Sequence, residues 1–286
     1  MKISFVKMQG AGNDFILIDE HSGIVVPDPE KPSLVARISD RRFGVGSDGV
    51  VFIQKSGKAD ARFVFYNPDG SRAELCGNGI RCFAKYVYES GIARKNPLQA
   101  ETDVGLLELE LSLSGDLVSR VNVDMGVPRL ERKDIPVTGE PEARFIDEEV
   151  VIWGVGYRIT AVGMGNPHAV LFCDDVGDVD LLRVGDEIRN HILLFPEGVN
   201  VHFIERKGVN EFRIRTYERG VEGETLACGT GICASAMAAV ANNKADRNNK
   251  MIFHARGGDL IVEFMGKNIY LKGPVSEVFS GVFPVD

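Results

Sequence analysis

Two short segments of this 286-residue chain carry the residue types needed for acid–base chemistry at carbon. Cys76 stands in Cys76-Gly77-Asn78-Gly79-Ile80 and Cys228 in Cys228-Gly229-Thr230-Gly231-Ile232, an offset of 228 − 76 = 152. After each set of glycines the period turns helical. Ile80, Phe83, Ala84 and Val87 share one face, as do Ile232, Ser235, Ala236, Ala239 and Val240. Each cysteine therefore belongs at the mouth of a helix, where unpaired amides and partial positive charge favour a thiolate or a bound carboxylate. A thiol of ordinary pKa ~8.5 can be brought toward neutrality there. One such segment alone reads as a small buried hydrophobe at a tight turn. Two copies suit inversion of a stereocentre: one thiolate removes a proton from carbon, and the other thiol returns one to the opposite face. The resulting carbanion beside a carboxylate would be stabilised by the two helix N-termini. Cys82, Cys173 and Cys233 lack this setting and read as packing residues.

The elements that must position these thiols also come in pairs. Gly10-Ala11-Gly12-Asn13 returns as Gly163-Met164-Gly165-Asn166, Phe52-Ile53 as Phe203-Ile204, and Tyr66 as Tyr217, in the same order at nearly constant offset. This predicts two pseudo-symmetric domains, each a mixed β-sheet or barrel around a central helix, with the site in the cleft between them. The fold class is mixed α/β. Strands are expected at Val50 to Ile53, Arg62 to Tyr66, Leu106 to Ser112, Val118 to Val123, Val151 to Val155, Ala169 to Phe172, Val199 to Ile204, Phe212 to Tyr217, Leu260 to Phe264 and Ile269 to Leu271. Ser33 reads as the cap of a short helix through Leu34, Val35 and Ile38, with Asp180 to Asn190 as its counterpart, and Lys244 to Lys250 as a surface loop. The expected division is 1–126 for the half carrying Cys76, completed by 274–286, and 127–273 for the half carrying Cys228.

Composition narrows the partners. Lys plus Arg is 33 and Asp plus Glu is 41, a net charge of −8, which argues against nucleic acid or an anionic membrane. Glycine is abundant at 32 residues, as a chain with many tight turns requires. No apolar run approaches the length of a membrane helix, Lys7 interrupts any leader-like start, and five cysteines without Cys-x-x-Cys suggest reduced thiols in the cytoplasm rather than a disulfide or zinc framework. Neither a phosphate-loop lysine nor a dinucleotide Gly-x-Gly-x-x-Gly is present.

The chain resembles the diaminopimelate epimerase family over essentially its whole length. The matching segments are Met8-Gln9-Gly10-Ala11-Gly12-Asn13-Asp14-Phe15, Tyr66-Asn67-Pro68-Asp69-Gly70-Ser71 through Cys76-Gly77-Asn78-Gly79, Gly165-Asn166-Pro167-His168, Gly198-Val199-Asn200, and Tyr217-Glu218-Arg219-Gly220 through Cys228-Gly229-Thr230-Gly231. The resemblance implies a pyridoxal-phosphate-independent epimerase, needing no cofactor or metal, that interconverts LL- and meso-diaminopimelate for lysine and peptidoglycan synthesis. It implies Cys76 as proton acceptor for the LL isomer and Cys228 as donor, with His168 and Glu218 setting their pKa values. Asn13, Asn67, Gly77, Asn78, Asn166, Asn200, Glu218, Arg219, Gly229 and Thr230 would hold the substrate, and the expected assembly is a homodimer.

Chemistry agrees with that assignment. A substrate with two carboxylates and two ammonium groups calls for charge and many neutral hydrogen bonds. Arg219 can fork onto the far carboxylate, Glu218 can take an ammonium, and the four asparagines can donate and accept without adding charge. One departure is visible: Gly49 follows Gly46-Ser47-Asp48, where some family members carry glutamine, so water or backbone is expected to serve there. The nearest rival is a proline or hydroxyproline racemase. Those have a histidine after the first Cys-Gly and need no Glu-Arg pair, so Asn78 and Glu218-Arg219 speak against it. A thiol redox protein using Cys76 and Cys228, and a binding module for a diamino acid, are the rivals from other classes.

Overall fold

The computed structural model describes residues 2–285. The chain is mixed α and β, dominated by strands, and divides into two compact units: Met1–Asp124 with Lys272–Asp286, and Met125–Leu271.

In the first unit, β1 (Lys2–Gly10) and β2 (Asn13–Glu20) form an antiparallel hairpin. Its turn holds Ala11 and Gly12 at φ of 54° and 88°, the left-handed geometry that matches strand twist in a two-residue turn. Beyond α1 (Lys31–Ser39), β3 (Val50–Gln54) runs parallel to β2 and antiparallel to β4 (Ala61–Tyr66). The two-residue β5 (Arg72–Ala73) leads into α2 (Gly77–Glu89), which stops before Gly91 at φ 81°. β6 (Leu98–Thr102) returns parallel to β4, and β7 (Gly105–Ser114) and β8 (Leu117–Asp124) continue antiparallel.

The strands of this unit surround α2, which packs against β1, β2, β3, β4, β6, β7 and β8. Ile80, Phe83, Ala84 and Val87 are buried there as their spacing predicts. On the other side of the sheet, Leu34, Val35 and Ile38 of α1 join a core with Ile16, Ile18, Val50 and Phe52. Burial of each such side chain contributes about 1.5–3 kcal/mol. With both faces covered, β3 reads Val-Val-Phe-Ile without alternation, as strands in doubly covered parallel pairs do.

The second unit repeats the plan. β9 (Glu148–Ile152), β10 (Val155–Gly163) and β11 (Pro167–Cys173) are successively antiparallel, and α3 (Leu181–Arg189) follows. β12 (Asn200–Gly208) runs parallel to β11 and antiparallel to β13 (Glu211–Glu218). β14 (Gly223–Thr225) leads into α4 (Gly229–Ala241), then β15 (Met251–Ala255) parallel to β13, β16 (Gly258–Met265) antiparallel to β15, and β17 (Asn268–Pro274), whose residues from Lys272 on belong to the first unit. The helix α4 is apolar almost all round and accordingly buried, packing on β10, β11, β12 and β16. The last strand, β18 (Ser276–Pro284), pairs antiparallel with β1, the place that β9 takes beside β10. No helix among the described residues is long and apolar enough to cross a membrane.

Two local expectations are corrected. Ser33 does not cap α1; the helix begins at Lys31, Pro32 occupies its first turn, and the Ser33 hydroxyl bonds back to Glu30 O at 2.9 Å. Val151 to Val155 is not one strand but a hairpin between β9 and β10, because Trp153 and Gly154 turn the chain at φ of 50° and 77°. Its counterpart expectation holds: Asp180 caps α3, accepting from Arg183 N at 3.4 Å.

Candidate active site

Cys76 is the N-cap residue of α2, extended at φ −131° and ψ 115°, and its carbonyl accepts the first helical bond from Ile80 N at 2.8 Å. Its thiol is half-buried above Gly79, where an added Cβ would stand 3.6 Å from Sγ. The first turn is held from below by Arg81, whose guanidinium is fully buried. Arg81 donates to Asn78 Oδ1 at 2.8 Å, Gly77 O at 3.2 Å and Pro274 O at 3.4 Å. Gly273 makes room for it, since a Cβ there would come within 2.7 Å of Arg81 Cζ.

From Asn78 the chain of donors continues. Asn78 Nδ2 donates to Asn13 Oδ1, and Asn13 Nδ2 donates to Asp48 Oδ2 at 3.0 Å. Asp48 also accepts from Arg41 at 2.6 Å and from Asp14 N at 3.2 Å. Burial would raise the pKa of Asp14, but hydrogen bonds from Arg41 and Lys7 bring it down to about 2. The line thus runs from a buried cation to a carboxylate, and both asparagine amides are oriented by it. Asn67 stays outside this line, with its Nδ2 on Ser71 Oγ at 3.0 Å.

Cys228 caps α4 in the same way, at φ −113° and ψ 111°, with Ile232 N on its carbonyl at 2.9 Å. It is 6% exposed, and its Sγ lies 3.5 Å from Thr230 Oγ1. Beneath this helix lies His202 of β12, fully buried, with Nδ1 at 2.9 Å from Thr216 Oγ1 and Nε2 at 2.8 Å from His168 Nδ1. His168 Nε2 is 2.8 Å from Asn166 Oδ1. Burial pushes His202 down to about 3, and burial, then His202 and Arg219, hold His168 well below the usual imidazole range. Both rings are neutral at physiological pH. Asn200, facing His168 in the register of β11 and β12, ties two loops together: its Nδ2 donates to Pro167 O at 3.0 Å and its Oδ1 accepts from Arg219 N at 2.9 Å. Arg219 Nη1 donates to Glu197 O at 2.8 Å, and Glu218 ends β13 beside it.

The two helix mouths rest on different chemistry. By the repeat, His168, His202 and Thr216 of the second unit correspond to Phe15, Val51 and Phe65 of the first. Phe15 and Phe65 pack edge to face at 6.0 Å, and a Cβ on Gly79 would meet Phe15 at 3.6 Å. Phe65 also accounts for Gly49, where a Cβ would come within 2.5 Å of its ring; no side chain fits there, and the Gly49 carbonyl accepts from Ile16 N at 3.1 Å. Aromatic rings thus stand in the first unit where the second has its imidazoles and threonine hydroxyl, and the buried polar support of the first helix comes instead from Arg81.

Within the first unit the structure joins Asn13, Gly77 and Asn78 beside Cys76; within the second it gathers Asn166, His168, Asn200, Glu218 and Arg219, with Gly229 and Thr230 beside Cys228. Sequence reasoning missed Arg81, Asp48, His202 and Thr216. Strand alternation could have found His202, which shares a face of β12 with Asn200 two residues earlier.

A family profile described as diaminopimelate epimerase matches residues 5–131 and 160–278. The diaminopimelate epimerase of Desulfitobacterium hafniense is 45% identical over 287 residues, covering 99% of either chain. That of Moorella thermoacetica is 45% identical over 286 residues, again covering 99% of each. Among solved structures, a probable proline racemase from Agrobacterium radiobacter K84 shares the fold at a TM-score of 0.71, with 17% identity over 99% of this chain and 93% of that one.

Proposed function

Because the chain belongs to the diaminopimelate epimerase family, we propose that it interconverts LL- and meso-diaminopimelate by a two-thiol mechanism. What supports the reading most is the pair of cysteines at equivalent helix N-caps, one on α2 and one on α4, with matching backbone geometry. In the LL-to-meso direction Cys76, as thiolate, removes the α-proton. Cys228, as thiol, delivers its own proton to the opposite face and becomes the thiolate that serves the reverse reaction. No cofactor enters this balance. The carbanion is stabilised through the adjacent carboxylate by the first-turn amides at Gly77, Asn78, Gly229 and Thr230. At the distal end Arg219 takes the carboxylate and Glu218 the ammonium, while Asn13, Asn67, Asn166 and Asn200 add neutral hydrogen bonds. His168, being neutral, acts through hydrogen bonding rather than charge. An odd number of thiols suits a reducing cytoplasm, and a homodimer is the assembly we expect.

The test is conversion of LL- to meso-diaminopimelate without added cofactor by the unaltered protein, Cys76→Ala and Cys228→Ala. The reading requires turnover by the first and its loss in both variants with the fold intact. Retention of more than about a tenth of kcat in either variant would refute it, since removal of a required acid or base typically costs 10²–10⁴-fold.

A further inference from the structure

Thr216, His202, His168 and Asn166 form one continuous line of hydrogen bonds through the interior of the second unit, at 2.9, 2.8 and 2.8 Å. Each ring is neutral and so carries a single ring proton. With the Asn166 oxygen facing His168, the donors run one way. His168 Nε2–H donates to Asn166 Oδ1; His168 Nδ1 accepts from His202 Nε2–H; His202 Nδ1 accepts from the Thr216 hydroxyl. The amino group of half-buried Asn166 is left as a donor without a partner among the described residues.

We propose that His202 is a positioning residue: it fixes the tautomer of His168, and through it turns the Asn166 carboxamide so that the amino edge meets a substrate carboxylate. The identity of that substrate rests on the epimerase reading; the hydrogen-bond line does not. Packing alone does not call for these groups, because the first unit fills the equivalent space with Phe15, Val51 and Phe65. The chain also gives up a side chain for the ring, since a Cβ at Gly231 would fall 2.1 Å from His202 Cε1. Were the line reversed, the Asn166 oxygen would face the carboxylate and repel it.

The test is ¹⁵N NMR of histidine-labelled protein, followed by steady-state kinetics of His202→Leu and His202→Gln. His168 is expected as a neutral Nε2–H tautomer that does not titrate between about pH 7 and 5. His202→Leu is expected to abolish that fixed tautomer and to raise KM for diaminopimelate about fivefold or more, with kcat changed less than about twofold. His202→Gln, whose amide can donate to His168 Nδ1, is expected to recover most of the loss. A cationic or Nδ1–H His168 in the unaltered protein would overturn the proposal, as would a folded His202→Leu with unchanged KM. If the leucine variant does not fold, the tautomer of the unaltered protein and the KM of His202→Gln decide. Failure of the unaltered protein to turn over diaminopimelate would appear in the assay and not in the tautomer, and would count against the functional reading.

Discussion

Gly231 and His202 share one volume: a Cβ built on the glycine would lie 2.1 Å from the imidazole Cε1 and 2.7 Å from Nε2. The equivalent Gly79 is not constrained in this way, its nearest neighbours to an added Cβ being at 3.4 Å or more. Neither glycine has a positive φ, so the difference is one of packing and not of backbone freedom. Gly231→Ala is therefore expected to lose about 1–3 kcal/mol by overpacking, lowering Tm by several degrees, and Gly79→Ala much less. Thermal denaturation of the two variants checks this; equal Tm values would mean that His202 can move aside.

The buried imidazoles make stability depend on pH in a defined sense. In the folded state His168 and His202 stay neutral below 6.5, His202 down to about 3, whereas in the unfolded chain both bind protons near 6.5. The unfolded state then holds two more protons, so stability is lost as pH falls below 6.5, at about 2.7 kcal/mol per pH unit once both are protonated when unfolded. His254, raised by the hydrogen bonds it donates to Asp259 and Glu211, works in the other direction: its contribution is complete below 6.5 and fades as pH rises through its elevated folded value. Urea denaturation between pH 6.5 and 4.5 should show a slope about half as steep in His202→Gln. An unchanged slope would mean that His202 already binds a proton in the fold.

Thiol reactivity should separate the cysteines. Burial pushes Cys82 up to about 12 and Cys173 up to about 11, and Cys82 and Cys233 are inaccessible. Iodoacetamide at neutral pH is expected to alkylate Cys76 first, with activity falling in parallel and diaminopimelate protecting. Mass mapping that finds Cys173 modified ahead of Cys76 would contradict this.

The two cysteines, the glycines around them and the helices behind them were legible in the sequence because helical periodicity and a repeat at constant offset are local patterns. So was the strand-rich mixed fold, and the resemblance carried the family. The hairpin of β1 and β2 was not, since its turn places Ala11 rather than asparagine at positive φ. The floor beneath each helix was not legible either. Arg81 reads as a surface residue of an amphipathic helix, yet Gly10 and Gly273, far apart in sequence, open the space that buries it. Likewise His202 acquires a role only when β12 lies between β11 and β13, which bring His168 and Thr216 to its two nitrogens.

In the proposed mechanism two different groups handle the proton on the two faces of one carbon. The measurement that tests it most directly is turnover of LL-diaminopimelate in deuterated water, stopped at low conversion, with the isotope content of both isomers read by mass spectrometry. One deuterium is expected at the inverted α-carbon of the meso product, delivered by Cys228, and none in the recovered LL isomer, whose proton left to Cys76. Deuterium entering the recovered LL isomer as fast as meso product forms, or a product that keeps its original proton, would contradict it.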